Sequence, residues 1–297
     1  MMHEIELSEI LSAPPDLPIM IAGPTASGKS DLALRIAQES GGVIINADAL
    51  QIYENWRVLS ARPSREDEQN APHVMYGHIA WDAEYSVGEW LREVSHHLQA
   101  PQRPIIVGGT GLYFTALTQG LAEIPPTPAH IRTRADQIRH NEGIDGLLRA
   151  LDDATRTAID IQNPMRVQRA WEVLETTGKS ILWWQAQTPA PVLGLDKCLP
   201  ILFDVSKDVL NQRIETRFSR MIDLGALDEA RENFPRWDPK CLSSKAIGAP
   251  ELISYLNGEV DLETAQTLAT IATRQFAKRQ RTWFNSKMKI WRRYQPY

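Results

Sequence analysis

The stretch that most constrains this chain is Gly23-Pro24-Thr25-Ala26-Ser27-Gly28-Lys29-Ser30, directly after the apolar run Leu17-Pro18-Ile19-Met20-Ile21-Ala22. It fits G-x-x-x-x-G-K-[ST], a loop whose successive backbone N–H groups wrap a phosphate while a lysine adds a point charge and a hydroxyl holds Mg²⁺. Mg²⁺ is thus the expected cofactor and Ser30 its expected ligand. Residues Ser30 to Ala37 follow with their apolar positions at helical spacing. A helix starting at the loop turns its positive end toward the same phosphates. A di- or triphosphate is the expected ligand.

The surrounding pattern sets the fold. Residues 18–22 read as a buried strand and 29–40 as a helix stopped by Gly41-Gly42, before a second strand, Val43-Ile44-Ile45-Asn46, that ends near Asp48. Residues 54–83, rich in Pro, His and charge, read as a long surface excursion. Tyr85 to Gln99 reads as a helix, and Pro104-Ile105-Ile106-Val107 as a third strand ending in Gly108-Gly109-Thr110. This β-α-β-α rhythm implies a parallel sheet with helices on both faces and ligands beyond the carboxyl ends of its strands. Gly28, Asp48 and Thr110 are therefore expected around one crevice. The rhythm breaks at Ile124-Pro125-Pro126-Thr127-Pro128, and patterns from there to about residue 195 are helical. A strand at Leu199 to Val205, helices at Asp208 to Leu224 and Asp261 to Ser286, and a last strand at Met288 to Trp291 complete the reading. The expected fold is α/β: a P-loop NTPase-like parallel sheet flanked by helices, with an all-helical insertion domain. The core would be 18–124 with 196–297, the insertion 125–195, and 1–17 a flexible extension.

No apolar run approaches the roughly 18 residues needed to span a membrane, and residues 1–17 carry four acids and no signal-peptide pattern. The two cysteines lack metal spacing. A cytoplasmic protein is expected. A net charge of −5 argues against indiscriminate binding of nucleic acid, but it hides an asymmetry: residues 264–297 hold eight Lys/Arg and no Asp or Glu. Further basic clusters comprise Arg132, Arg134 and Arg139, and Arg166 with Arg169. Three such clusters in one acidic chain point to a polyanionic partner.

From spacing alone, a kinase is the plainer reading. Asp48 after a strand resembles an acid that steadies Mg²⁺, and Arg213, Arg217 and Arg220 resemble the arginines of a kinase lid. Alternatively the loop holds a pyrophosphate leaving group, and Asp48 is a general base for a separate nucleophile.

Beyond the phosphate loop, five stretches carry a family resemblance: Asn46-Ala47-Asp48-Ala49-Leu50-Gln51-Ile52-Tyr53; Val107-Gly108-Gly109-Thr110-Gly111-Leu112-Tyr113-Phe114; Asn163-Pro164-Met165-Arg166-Val167-Gln168-Arg169-Ala170; Arg213-Ile214-Glu215-Thr216-Arg217-Phe218; and Thr273 to Phe284. Together they resemble the tRNA dimethylallyltransferase family, and generic P-loop kinases lack the last of them. The resemblance implies transfer of a dimethylallyl group from dimethylallyl pyrophosphate to the exocyclic N6 of the adenosine next to the anticodon, on its 3′ side, in tRNAs reading codons that begin with U. Asp48 would be the base and Thr110 its neighbour at the reacting site. Gly23, Pro24, Thr25, Ala26, Ser27, Gly28, Lys29, Ser30 and Arg217 would grip the pyrophosphate. Contacts to the tRNA anticodon stem-loop would come from Asp48, Ala49, Leu50, Gln51, Thr110, Arg132, Met165, Arg166, Val167, Gln168, Arg169 and Arg274, with Lys278, Arg279 and Arg281 meeting phosphates. A monomer is expected. The rival readings are an enzyme prenylating free adenine nucleotides and a small-molecule kinase.

The chain departs from the family pattern at three places. Ser60-Ala61-Arg62-Pro63 stands for Thr-Ala-Lys-Pro, Pro72-His73-Val74-Met75-Tyr76-Gly77 for Pro-His-His-Leu-Ile-Asp, and Ile247-Gly248-Ala249 for Ile-Gly-Tyr.

Overall fold

The computed structural model describes residues 4–296; residues 1–3 of the expected extension and Tyr297 of the expected core lie outside them. Six strands form one parallel sheet: β1 (Ile19–Ala22), β2 (Val43–Asn46), β3 (His73–Val74), β4 (Pro104–Gly108), β5 (Leu199–Phe203) and β6 (Arg292–Tyr294), in the order β3-β2-β4-β1-β5-β6. The four inner strands are apolar runs because both faces are covered. Successive side chains alternate between those faces. Ile19 and Ile21 of β1 join Ile44, Ile105, Val107, Leu32 and Ile36 on one side. Met20 and Ala22 join Ile45, Ile106, Trp90, Phe114 and Phe284 on the other. The sheet is thus the α/β, P-loop NTPase-like layer that the sequence pattern implies.

The chain divides into two compact units, one of residues up to Thr118 together with Leu193 onward, the other Gln119–Val192. The second unit begins and ends slightly ahead of the expected 125–195, since Leu193 is buried in the first unit and its N–H donates to Leu117 O at 3.1 Å. Its helices, Ala129–Leu148, Asp153–Ala158, Pro164–Thr177 and Ile181–Gln185, enclose their own core of Ile131, Ala135, Leu147, Val167 and Trp171.

Three expectations need correcting. Residues 4–17 are not a loose extension: a short helix, Leu7–Leu11, buries Ile10 completely, and the Ile5 N–H donates to Arg293 O at 2.9 Å beside β6. Residues 54–83 are not merely a surface excursion. They hold β3 and a helix, Arg65–Asn70, and bury Trp56 in a separate helical cluster with Phe218, Met221 and Leu252. Met288 to Trp291 is a turn, not a strand. Met288 and Trp291 are buried from it while Ile290 is exposed, and β6 follows at Arg292.

Candidate active site

β2, β4 and β1 lie side by side, so the segments leaving their carboxyl ends meet. These are Asp48 after β2, Gly109-Thr110 after β4 and the phosphate loop after β1. The loop runs into the helix Lys29–Ser40 through Gly28 at φ 95°, where a side chain would be strained. Ala26 also holds a positive φ of 62°, which for a residue with a Cβ is an uncommon conformation. Beyond this turn the first N–H groups of the helix have no intrahelical acceptor and point outward. Two distant helices brace the loop. Arg213, on the helix Lys207–Asp223, donates Nη1 to Ala26 O and Ser27 O at 3.3 and 3.0 Å. Gln280, on the helix Leu262–Lys287, accepts the Thr25 N–H at 2.9 Å.

A cleft of about 770 Å³ opens over the loop, lined among others by Lys29, Asp48, Tyr76, Arg213, Arg217 and Phe276. Burial lowers the Lys29 pKa to about 8, opposed by Asp48 and reinforced by Arg217. Burial also lowers the Arg217 pKa, again opposed by Asp48. Two cations held this way, both in the field of Asp48 and Lys29 also in that of Asp31, form a buried positive site that a diphosphate would complement. Burial, with Asp48 adding to it, keeps the Tyr76 phenol protonated.

Asp48 itself is fixed from several sides. Its N–H donates to Asn46 Oδ1 at 2.9 Å and its Oδ1 accepts the Leu50 N–H at 3.0 Å. Asn46 is fully buried, its amide donating to Asp48 O and Met75 O, and its own carbonyl accepts Trp90 Nε1 at 2.8 Å. Thr110 joins this corner: its N–H donates to Ala47 O at 3.1 Å and its Oγ1 accepts the Ala49 N–H at 2.9 Å. It is not among the residues lining the cleft. Its hydroxyl orders the Asp48 turn from the side and keeps its own hydrogen to donate.

Residues 51–287 match the IPP transferase family. The chain belongs to the IPP transferase family. Residues 18–76 also match the isopentenyl transferase family. A tRNA dimethylallyltransferase of Roseobacter denitrificans is 57% identical over 282 residues, covering 95% of this chain and 100% of the relative. One of Dinoroseobacter shibae is 56% identical over 287 residues, covering 96% and 97%. Among solved structures, a tRNA isopentenylpyrophosphate transferase from Bacillus halodurans aligns with a TM-score of 0.67 at 27% identity, over 94% of this chain and 90% of that one. A eukaryotic dimethylallyltransferase acting on tRNA aligns at 0.79 with 23% identity, over 94% and 73%, a likeness of fold. None of these relatives bears the name of a kinase or of an enzyme of free nucleotides.

For an IPP transferase, the residues expected to touch RNA fall into distinct settings. Leu50 and Gln51 line the cleft, and the Gln51 amide also braces its wall by donating to Ser60 O and Ala61 O, both at 2.9 Å. In the helical unit, Arg132, Met165 and Arg166 are exposed. Arg169 is half-buried and donates to Thr127 Oγ1 at 2.6 Å. Val167 and Gln168 depart from expectation. Val167 is fully buried in the unit's core, and Gln168 is buried with its amide donating to Asp136 and Glu172, both at 3.0 Å. On a helix, five consecutive residues cannot share one face, so only some of 165–169 reach solvent. Lys278 and Arg279 are exposed, Arg281 is half-buried, and Arg274 pairs with Glu215.

The sequence pattern assigned no role to Asn46, Gln280 or Glu229. Glu229 accepts the N–H groups of Arg57, Val58 and Leu59 at 2.5, 3.0 and 3.0 Å and so holds the segment leading into the cleft wall. Asn46 and Gln280 lie within the stretches that carry the family resemblance; Glu229 gives no sequence signal. The donor set suits Mg²⁺, which takes one or two protein oxygens beside substrate phosphates and keeps several waters. The exposed Ser30 hydroxyl and Asp31 line the cleft mouth, and among the described residues no group of three or more His, Cys, Asp or Glu forms a cage. Among the described residues no helix is long and apolar enough to cross a membrane.

Proposed function

We propose that this chain transfers a dimethylallyl group from dimethylallyl pyrophosphate to N6 of the adenosine on the 3′ side of the anticodon, in tRNAs reading codons that begin with U. The observation that carries the reading is the cleft in which Asp48 shares the field of two half-buried cations, Lys29 and Arg217, in a member of the IPP transferase family.

The N6 amine is a poor nucleophile because its lone pair spreads into the purine ring. Asp48 accepts its proton as the new C–N bond forms, a role typically worth about 10²–10⁴-fold. The allylic C–O bond breaks and its electron pair leaves with the pyrophosphate. The N–H groups at the start of the Lys29–Ser40 helix, Lys29 and Arg217 neutralise that charge from fixed positions. Mg²⁺ held by Ser30 would add Lewis-acid neutralisation of the same group. Thr110, outside the cleft lining, holds the Asp48 turn by accepting the Ala49 N–H at its Oγ1. The base reaches the cleft by leaving its stack, which costs a few kcal/mol and least in a single-stranded loop. Arg132, Met165, Arg166 and Arg169 bind the anticodon stem-loop, and Lys278, Arg279 and Arg281 meet its phosphates. The protein works as a monomer in the cytoplasm.

The test is incubation with unmodified tRNA, labelled dimethylallyl pyrophosphate and Mg²⁺. Label should appear in tRNA as N6-isopentenyladenosine. Label on AMP but not tRNA, or phosphate passing from ATP to an acceptor with no prenylated product, would overturn the reading.

A further inference from the structure

The helix Leu262–Lys287 lies far along the chain from the phosphate loop, yet it sends one buried amide between the two halves of the reaction. Gln280 is 6% exposed. Its Oε1 accepts the Thr25 N–H at 2.9 Å, and its Nε2 donates to Gly109 O at 3.0 Å. Thr25 belongs to the loop assigned to the leaving group. Gly109 directly precedes Thr110 and borders the proposed base: a Cβ at Gly109 would stand 2.3 Å from Gln280 Nε2 and 3.2 Å from Asp48 Oδ2. The missing side chain is what lets both groups close on this turn. The two partners also fix which way the amide faces, since an N–H can only donate and a C=O can only accept. Glutamate, ionised, can serve only the first partner, and an apolar residue serves neither. The direct backbone tie between the two turns, Gly23 N–H to Gly108 O, is long at 3.4 Å, so the glutamine carries the closer link.

We infer that Gln280 is a positioning residue that sets the distance between the leaving-group loop and the Asp48–Thr110 corner. The inference rests on the function proposed above. Catalysis between two bound reactants depends on their mutual placement, and a misplacement of about 1 Å can lower the rate about 10²-fold. Loss of the link therefore acts on turnover more than on the binding of either substrate alone.

The experiment compares wild type with Gln280→Met, which keeps the length and removes both hydrogen bonds. Three quantities are read: the single-turnover rate with dimethylallyl pyrophosphate and tRNA both saturating, the Kd of each substrate alone, and the fraction folded. The expected result is a rate about 10²-fold lower, with each Kd within about threefold of wild type in folded protein. Should Gln280→Met not fold, Gln280→Glu retains the shape and the acceptor for Thr25 while turning an oxygen toward Gly109 O, and the same split is expected. A folded variant of either kind with a near-normal rate, or a rate loss matched by weaker binding of one substrate, overturns the role of Gln280. A wild-type protein that prenylates no tRNA overturns the functional reading itself.

Discussion

Lys29 offers a quantitative check on the leaving-group site. Burial lowers its pKa from 10.5 to about 8 in the unliganded protein, so the charge needed to grip a diphosphate begins to vanish just above neutral pH. If only the protonated form binds, the apparent Kd for dimethylallyl pyrophosphate rises as 1 + 10^(pH − pKa), about twofold at pH 8 and about elevenfold at pH 9. Binding should also draw about half a proton from solution at pH 8, because the bound anion restores the charge. Isothermal titration without tRNA, at fixed Mg²⁺ and in buffers of different ionisation enthalpy, measures both. Lys29→Met should weaken binding about 10- to 100-fold at pH 7, as befits lost hydrogen bonds to a charged group, and should abolish the alkaline loss. The unliganded protein behaves oppositely. Native Lys29 releases its proton near pH 8 and the unfolded chain near 10.5, so unliganded stability rises with pH across that window. Below it, charging Lys29 costs on the order of 3 kcal/mol at 1.36 kcal/mol per pH unit. Lys29→Met therefore leaves the unliganded fold at pH 7 as stable as wild type or more so. A wild-type Kd that stays level from pH 7 to 9.5, or the same alkaline slope in Lys29→Met, refutes the reasoning.

Further predictions address the base, the cleft wall and the amino-terminal helix. Asp48→Asn should lower the single-turnover rate about 10²–10⁴-fold while both substrates still bind; near-normal turnover would remove Asp48 as the base. Glu229→Ala leaves three backbone N–H groups without their acceptor and should lower stability to urea by about 1–3 kcal/mol, with Glu229→Gln milder because its amide oxygen still accepts. Ile10→Ala should destabilise by about 2–5 kcal/mol in the same assay, since Ile10 is wholly buried; a change near zero would mean that the Leu7–Leu11 helix is not part of the cooperative fold.

What the sequence disclosed, and what it kept back, follows from how local each signal is. The limits of the Lys29–Ser40 helix and the strand Val43–Asn46 were legible because a loop, a glycine stop and a continuous apolar run occur within a few residues. The placing of Asp48 and the phosphate loop on one cleft followed from the rule that parallel strands deliver their sites at one end, whereas Thr110, expected on the same crevice, braces the Asp48 turn from outside the cleft lining. Residues 4–17 misled because Ile5 and Ile10 stand among acids, and what buries them includes β6, over 280 positions away. The last strand was misplaced for a related reason: Met288 and Trp291 look like a strand but pack from a turn, whereas β6 is an edge strand and tolerates two arginines. Val167 and Gln168 sat inside a motif whose letters matched a family, and letters do not say which side of a helix faces water. Glu229 and Gln280 act on backbone groups more than 160 residues away, and no local pattern announces such a partner.

The hydrogen bond from the Thr25 N–H to the Gln280 side chain spans 255 residues of chain, and this has a bearing on synthesis. A nascent chain made only as far as Thr110, just past β4, already contains the glycine-rich loop and Asp48. It still lacks Arg213, Arg217 and the glutamine that joins the two turns. Contacts of such sequence separation form late, after long loops have closed. Affinity for a diphosphate at the loop should consequently emerge only as synthesis nears its end, once Arg213, Arg217 and Gln280 have been added.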